Sequence, residues 1–283
     1  MQYKECESYK SFVKSPYRSF KNTSYFQVYD ELFGKYKGKP ITFVEVGVFH
    51  GGSLFMWRDF FGSNARIIGV DLSPAAEKWK QYNFEIFIGD QSDPNFWKSF
   101  FKQVGPIDIL LDDGGHTFEQ QILTVHNSFK NINNNGLIVV EDTHTSYIKE
   151  FGFPSKFTFV QWAKNIIAHN NKRFDGIKGT CSEYSDYIYS VNFFESIICF
   201  NIDRAKCYTS SVINNGGLRD SVSDYRYKNT SFDKIDSLFS TKGKILTYLS
   251  RFIVLKKLKL IFVRELHAIF AHYRLFKLRK YFK

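Results

Sequence analysis

The chain has 283 residues, 43% of them hydrophobic, with 39 Lys or Arg against 28 Asp or Glu and a formal net charge of +11. That size and apolar content support one sizeable core with additions. The four cysteines, Cys6, Cys181, Cys199 and Cys207, lack the close pairing of a zinc site or a disulfide scaffold, which leaves reduced thiols. The charge is local: twelve basic residues and one acid, Glu265, lie between Lys242 and Lys283, so residues 1–241 are formally neutral and no global positive field steers them to nucleic acid.

In chain order, residues 1–36 are polar and aromatic, and Tyr25 to Phe33 place apolar groups on one face, as a helix packing before the core would. A β-rich run from Ile41 to Val48 follows, then the loop Phe49-His50-Gly51-Gly52-Ser53 and a helix-like segment through Phe61. Further strands are expected at 66–71, 84–90, 107–111 and 137–140, with helices at 75–82, 94–103 and 117–131 between them. Such alternation indicates a parallel sheet covered on both faces. Beyond Tyr147 come a helix at 159–170 and two runs, 187–193 and 196–200, close enough to form an antiparallel hairpin at the sheet edge. The expected fold is α/β: a Rossmann-like, mostly parallel sheet with helices on both faces, a terminal antiparallel hairpin and a C-terminal helical tail. The segments are 1–36 (N-terminal helical), 37–207 (main domain), 208–241 (polar connection) and 242–283 (basic amphipathic tail).

Ligands of open parallel sheets bind beyond the carboxyl ends of the strands, so the residues ending each apolar run are a site inventory. The first run offers Glu45, Gly47 and Ser53, the second Asp71, the third Asp90 and Gln91. Phe49 stands where the second glycine of a dinucleotide fingerprint belongs, so a pyrophosphate would sit poorly. A nucleoside cofactor without phosphates, such as S-adenosylmethionine, fits better, with Asp71 at the ribose hydroxyls, Asp90 and Gln91 at the adenine edge, and the glycine loop beside the methionine part. Ordinary strand-end polarity would account for one such acid, less well for three in succession.

The fourth and fifth runs end on Asp112-Asp113 and Glu141-Asp142. Four carboxylates at adjacent strand ends raise one another's pKa unless a cation neutralises them, and a hard divalent ion such as Mg2+ does so. Asp113, Glu141 and Asp142 are the expected ligands, with Asp112 facing the cofactor amine. His116 is the expected base, taking a proton from a hydroxyl held on the metal. The competing reading makes Asp112 to His116 a helix cap, which leaves the second acid pair unexplained. His144 is a weaker base candidate, better read as a substrate contact or lid residue; His50 either lines the cofactor or occupies a loop, and His126 is structural.

Phe43-Val-Glu-Val-Gly-Val-Phe-His-Gly-Gly-Ser53, Gly69-Val-Asp71, Gly89-Asp-Gln-Ser-Asp93, Leu111-Asp-Asp-Gly-Gly-His-Thr117 and Val140-Glu-Asp-Thr-His-Thr-Ser-Tyr147 together resemble the metal-dependent sugar O-methyltransferases of macrolide and aminocoumarin antibiotic pathways. Related sequences serve bacterial surface polysaccharides. The resemblance, over residues 40–200, implies a class I S-adenosylmethionine fold, Mg2+ at Asp113, Glu141 and Asp142, a base at His116 and a sugar or glycoconjugate substrate. The same motifs resemble cephalosporin hydroxylase-like proteins and methyltransferases of capsule phosphoramidate assembly.

In the tail, Leu255, Leu258, Phe262, Leu266, Ile269, Phe270, Tyr273 and Phe276 recur at helical spacing among basic residues. Such a helix would lie on an anionic membrane or pack on the body or on a partner subunit, a homo-oligomer included. No apolar signal-peptide run opens the sequence and no uncharged stretch reaches bilayer length, so a cytoplasmic protein, peripheral to the inner face of the membrane if the tail binds lipid, is expected. The rival function is an RNA-binding methyltransferase using the tail, which the neutral body argues against.

Overall fold

The β-branched runs become seven strands: β1 (Thr42–Val46), β2 (Arg66–Asp71), β3 (Glu85–Ile88), β4 (Ile107–Asp112), β5 (Ile132–Val140), β6 (Ile188–Phe193) and β7 (Ile198–Ile202). The structure, a computed structural model, describes residues 2–177, 179, 181–218, 225–226, 228–234 and 253–282. The strands form one sheet in the order β3-β2-β1-β4-β5-β7-β6. The first five are parallel to one another, and β7 runs antiparallel between β5 and β6. The expected Rossmann-like sheet with a terminal hairpin is therefore what forms, the second arm of the hairpin pairing with β5.

Successive strand residues point to opposite faces, and each face has its own helices. Phe43, Ile109, Leu111, Leu137 and Val139 join a core with residues of α2 (Tyr25–Phe33) and α3 (Gly52–Phe61), against which Tyr9 and Phe12 of α1 (Glu7–Lys14) also pack. Val44, Val46, Leu110, Ile138 and Val140 join the other core with α4 (Pro94–Val104), α5 (Phe118–Ser128) and α6 (Phe159–Asn171). This parity places the site residues.

Two segments differ from expectation. Helix α1 packs Tyr9 and Phe12 on Phe26, but its most deeply buried positions are polar, Ser8 and Ser11. Their hydroxyls donate to Phe26 O at 2.9 Å and Asp59 Oδ2 at 2.7 Å, and Asp30 of α2 accepts from the N–H groups of Glu7 and Ser8. Residues 74–82 form 3₁₀ turns rather than an α-helix; the buried pair Ala76 and Trp79, three apart, fits three residues per turn.

The chain divides into Met1–Val212 and Ile213–Lys283. In the second unit α7 (Ile253–Leu278) is the long helix. Residues 235–252, which hold the end of the expected connection 208–241 and the start of the tail 242–283, lie outside the described residues. Among the described residues no helix is long and apolar enough to cross a membrane.

Candidate active site

Strand parity sorts the acids before any ligand is considered. Glu45 of β1 lies opposite Leu111 of β4, which lies opposite Val139 of β5. Glu45, Asp113 and Glu141 therefore share the face of Phe43, Leu111 and Val139, beneath α2 and α3, and they converge. At the point of convergence is Lys21, from the segment between α1 and α2. Its Nζ donates to Asp113 Oδ2 at 2.6 Å and to Glu141 Oε2 at 3.0 Å, and stands 3.8 Å from Glu45 Oε1. The lysine side chain is 1% exposed. Burial alone would lower its pKa, but Asp113, Glu141 and Glu45 outweigh that and raise it.

Neighbouring acids on the same strands go elsewhere. Asp112 has the parity of Leu110 and turns toward α5, where Gln91 Nε2 donates to both carboxylate oxygens at 3.0 and 3.1 Å and Gly114 N donates at 3.1 Å. Asp142 follows the end of β5 with φ of 53°, and this left-handed turn swings its carboxylate back toward the site. Tyr25 Oη donates to Asp142 Oδ1 and accepts from Asp142 N, while Asn22 adds a second donor at 3.3 Å.

His116, with φ of 60°, precedes α5; the helix cap is Thr117, paired reciprocally with Gln120, so the acids are not cap residues. His116 Nε2 lies 3.4 Å from Asp142 Oδ2 and 3.9 Å from Asp113 Oδ1. Its Nδ1 is buried without a hydrogen-bond partner. Asp113, His116 and Asp142 each offer one donor atom within 4.8 Å of the others. An oxygen-rich set with one imidazole and an orphaned ring nitrogen fits a divalent ion.

Two cavities meet here. The larger, about 680 Å³, is lined by Gly47, Ser53, Asp71, Asp90, Gln91, Asp113 and His116 among others. The smaller, about 400 Å³, is lined by Phe12, Lys21, Tyr25 and Glu141. Both include Ser19, Phe20, Asp113 and Asp142. The larger wall follows from local chemistry: Gly47 has φ of 93°, and Asp71 holds the glycine loop by accepting from Val48 N at 2.9 Å, Phe49 N at 3.0 Å and Ser73 N at 2.8 Å.

Beside the expectations from sequence, two acids stand away from the cofactor cavity and a third has protein partners. Glu45, expected at the cofactor, is fully buried away from the larger cavity and accepts from Ser53 Oγ at 2.7 Å and Trp57 Nε1 at 3.0 Å. Asp112, expected at the cofactor amine, is buried and does not line that cavity, because alternation turns it to the other face. Glu141, expected on the metal, accepts from Lys21 Nζ at 3.0 Å and from Tyr29 Oη at 2.6 Å. Gln91 lines the cavity, but its amide is spent on Asp112, Thr124 and Gly115 N. His50 lines the larger cavity, His126 bonds Tyr184 Oη, and the half-exposed His144 lies 3.8 Å from Asp142 Oδ1. Sequence reasoning missed Lys21, Tyr25 and Tyr29. The tyrosines are four apart on one helix face, a visible signal, whereas nothing local marks Lys21 among so many lysines.

Burial raises Glu141 well above the carboxylate range, with Asp113 adding to it, and takes Asp112 up to about 6. Glu45 is pushed by burial from an ordinary 4.5 up to about 7, Lys21 pulling the other way. A carboxyl raised on folding contributes stability that is whole below its unfolded pKa and lost as pH rises through its folded pKa, here between about 4.5 and 7, on the order of 3 kcal/mol. Glu45→Gln keeps an acceptor for Ser53 or Trp57 and removes that loss. In thermal melts the variant should therefore gain on the wild type between pH 4.5 and pH 8, and a relative loss over that interval would contradict the assignment.

Residues 44–143 match a family described as a methyltransferase domain. Two curated relatives are the 8-demethyl-8-alpha-L-rhamnosyl tetracenomycin-C 2'-O-methyltransferase of Streptomyces olivaceus, 33% identical over 135 residues, and the demethylmacrocin O-methyltransferase of Streptomyces fradiae, 33% identical over 131 residues. These alignments take 45% and 44% of this chain but 35% and 33% of the relatives, so the chain spans about a third of their length. The MycE methyltransferase of the mycinamycin biosynthetic pathway, solved in complex with Mg and SAH, superposes with a TM-score of 0.64 at 23% identity, covering 76% of this chain and 57% of that one. The matched segment and the strands that follow it thus share that fold.

Proposed function

We propose that the protein is an S-adenosylmethionine-dependent O-methyltransferase that methylates a sugar hydroxyl in surface-glycan or natural-product synthesis, assisted by Mg2+. The observation that carries the reading is the pair of cavities meeting at Asp113 and Asp142: one is large enough for a nucleoside cofactor, the other adjoins it where an acceptor would stand. The sugar O-methyltransferase names of the curated relatives support the same class of acceptor.

In this reading Asp71 accepts one ribose hydroxyl at Oδ1, where its loop contacts leave a lone pair free, Asp90 stands at the adenine edge, and Gly47 lets the backbone approach the donor. Asp113 and Asp142 would hold the divalent ion, which would supply charge to acidify the acceptor hydroxyl. His116 accepts the hydroxyl proton at Nε2, which stands 3.4 Å from the Asp142 carboxylate. Tyr25 and Asn22 fix Asp142, so the base and its partner are positioned before the acceptor arrives.

Calorimetric titration with S-adenosylmethionine, with and without Mg2+, followed by transfer of labelled methyl to nucleotide-linked and lipid-linked sugars, tests this. Binding and Mg2+-stimulated transfer to a sugar are expected; no binding of the cofactor would overturn the reading.

We further propose that residues 242–283 attach the protein to the inner face of an anionic membrane. Leu260, Ile269, Tyr273 and Phe276 of α7 are exposed, and each basic residue near such a surface contributes about 1 kcal/mol. The full chain should float with anionic vesicles and a chain ending at Thr241 should not; equal flotation of both would contradict the attachment.

A further inference from the structure

The methyltransferase reading requires a divalent ion among carboxylates that already hold a cation. Lys21 Nζ is within hydrogen-bond distance of Asp113 Oδ2 and of both Glu141 oxygens, at 2.6, 3.1 and 3.0 Å, and the lysine is fully enclosed. An ion ligated by Asp113 and Glu141 together would occupy the volume of that ammonium. With Lys21 in place, the donors left to an ion are Asp113, Asp142 and His116. The imidazole would then be divided between ligand and base.

We propose that Lys21 is a built-in competitor for the divalent ion: ammonium and ion cannot share Asp113 and Glu141, so the lysine sets how tightly the chain holds metal. The inference rests on the metal-assisted reading above and deepens it. The geometry makes the competition specific. Glu141 has no access to the donor cluster except through the position of Lys21, since its carboxylate is otherwise held by Tyr29. Lys21 belongs to the segment between α1 and α2 whose Ser19 and Phe20 line both cavities, so displacement of the lysine also moves the wall between the proposed donor and acceptor spaces. A lysine acting only through its charge at a distance would also tighten metal binding when removed, but the gain would not depend on Glu141 as a ligand, whereas direct competition makes it do so.

The test is Mn2+ binding to the metal-stripped full chain, read by the loss of the free-ion paramagnetic resonance signal. Lys21→Met is expected to bind Mn2+ about tenfold or more tightly than the wild type, since Glu141 and the second oxygen of Asp113 become available to a hard cation. Adding Glu141→Gln to that variant should remove the gain, and Lys21→Arg, which keeps the positive charge, should stay near the wild type. Lys21→Met binding no more tightly than the wild type, or Lys21→Arg gaining as much as Lys21→Met, would overturn the proposal. Should Lys21→Met not fold without metal, Lys21→Met/Glu45→Gln carries one buried carboxylate fewer, and the same tightening or its absence decides. Titration of the same samples with S-adenosylmethionine separates the two ideas: cofactor binding with no change in Mn2+ affinity sinks the competitor alone, and no cofactor binding sinks the methyltransferase reading itself.

Discussion

His116→Ala is expected to lower methyl transfer by about 10²–10⁴-fold while leaving the affinity for S-adenosylmethionine nearly unchanged. The size follows from the role: a positioned base removes a proton that water would otherwise have to take as the new bond forms. Selectivity follows from geometry. His116 lies at the junction of the cavities beside Asp142 and Asp113, while the proposed ribose and adenine contacts, Asp71 and Asp90, come from other strand ends. The ring makes no described side-chain hydrogen bond that the fold depends on, and its backbone carbonyl, which accepts from Thr145 Oγ1 at 3.0 Å, survives the substitution. His116 does hold φ of 60°, a conformation that costs alanine about 1–2 kcal/mol, so His116→Asn, which tolerates that backbone, is the companion variant. Paired measurements of turnover and calorimetric affinity distinguish the roles. Near-normal turnover would move the base elsewhere, with His144, 3.8 Å from Asp142, next in line.

Gly47→Ala is expected to abolish cofactor binding and to destabilise the fold by about 2–5 kcal/mol. Two penalties add. At φ of 93° an L side chain is strained, and a Cβ there would lie 2.0 Å from the carbonyl oxygen of Asp113, a backbone atom that cannot swing aside. Relief requires β1 and β4 to part at their carboxyl ends, where the larger cavity and Asp113 both depend on their spacing. Chemical denaturation and cofactor titration of the variant check this; wild-type affinity would mean that the strand ends are more yielding than the geometry implies.

The sheet was legible because its strands are short β-branched runs separated by helices of ordinary length, and two buried faces leave little choice of topology. Much of the site was also open to arithmetic. Because strand residues alternate, adjacent acids such as Asp112 and Asp113 cannot face the same ligand, and Glu45, Asp113 and Glu141 share one parity. Counting acids at strand ends without applying that alternation sent Asp112 and Glu45 to the cofactor, whereas the structure gives them Gln91 and Trp57. Asp142 escapes the rule through its left-handed backbone, which a sequence of Glu-Asp-Thr does not announce. Lys21 was beyond reach for a different reason: the expectation of a neutralising cation was sound, but a tertiary contact across 120 residues selects which one, and composition offers 39 basic side chains. Helix α1 is less legible for another reason: it is short, and two of its core-facing positions, Ser8 and Ser11, are hydroxyls beside Tyr9 and Phe12.

The most direct test is diffraction from crystals grown with S-adenosylhomocysteine and Mn2+, the ion being located by its anomalous signal. The thioether cofactor is predicted in the larger cavity, its ribose on Asp71, with the Mn2+ peak ligated by Asp113 and Asp142 at the mouth of the smaller one. A cofactor bound elsewhere, or an ion bonded to neither of those carboxylates, would contradict the account.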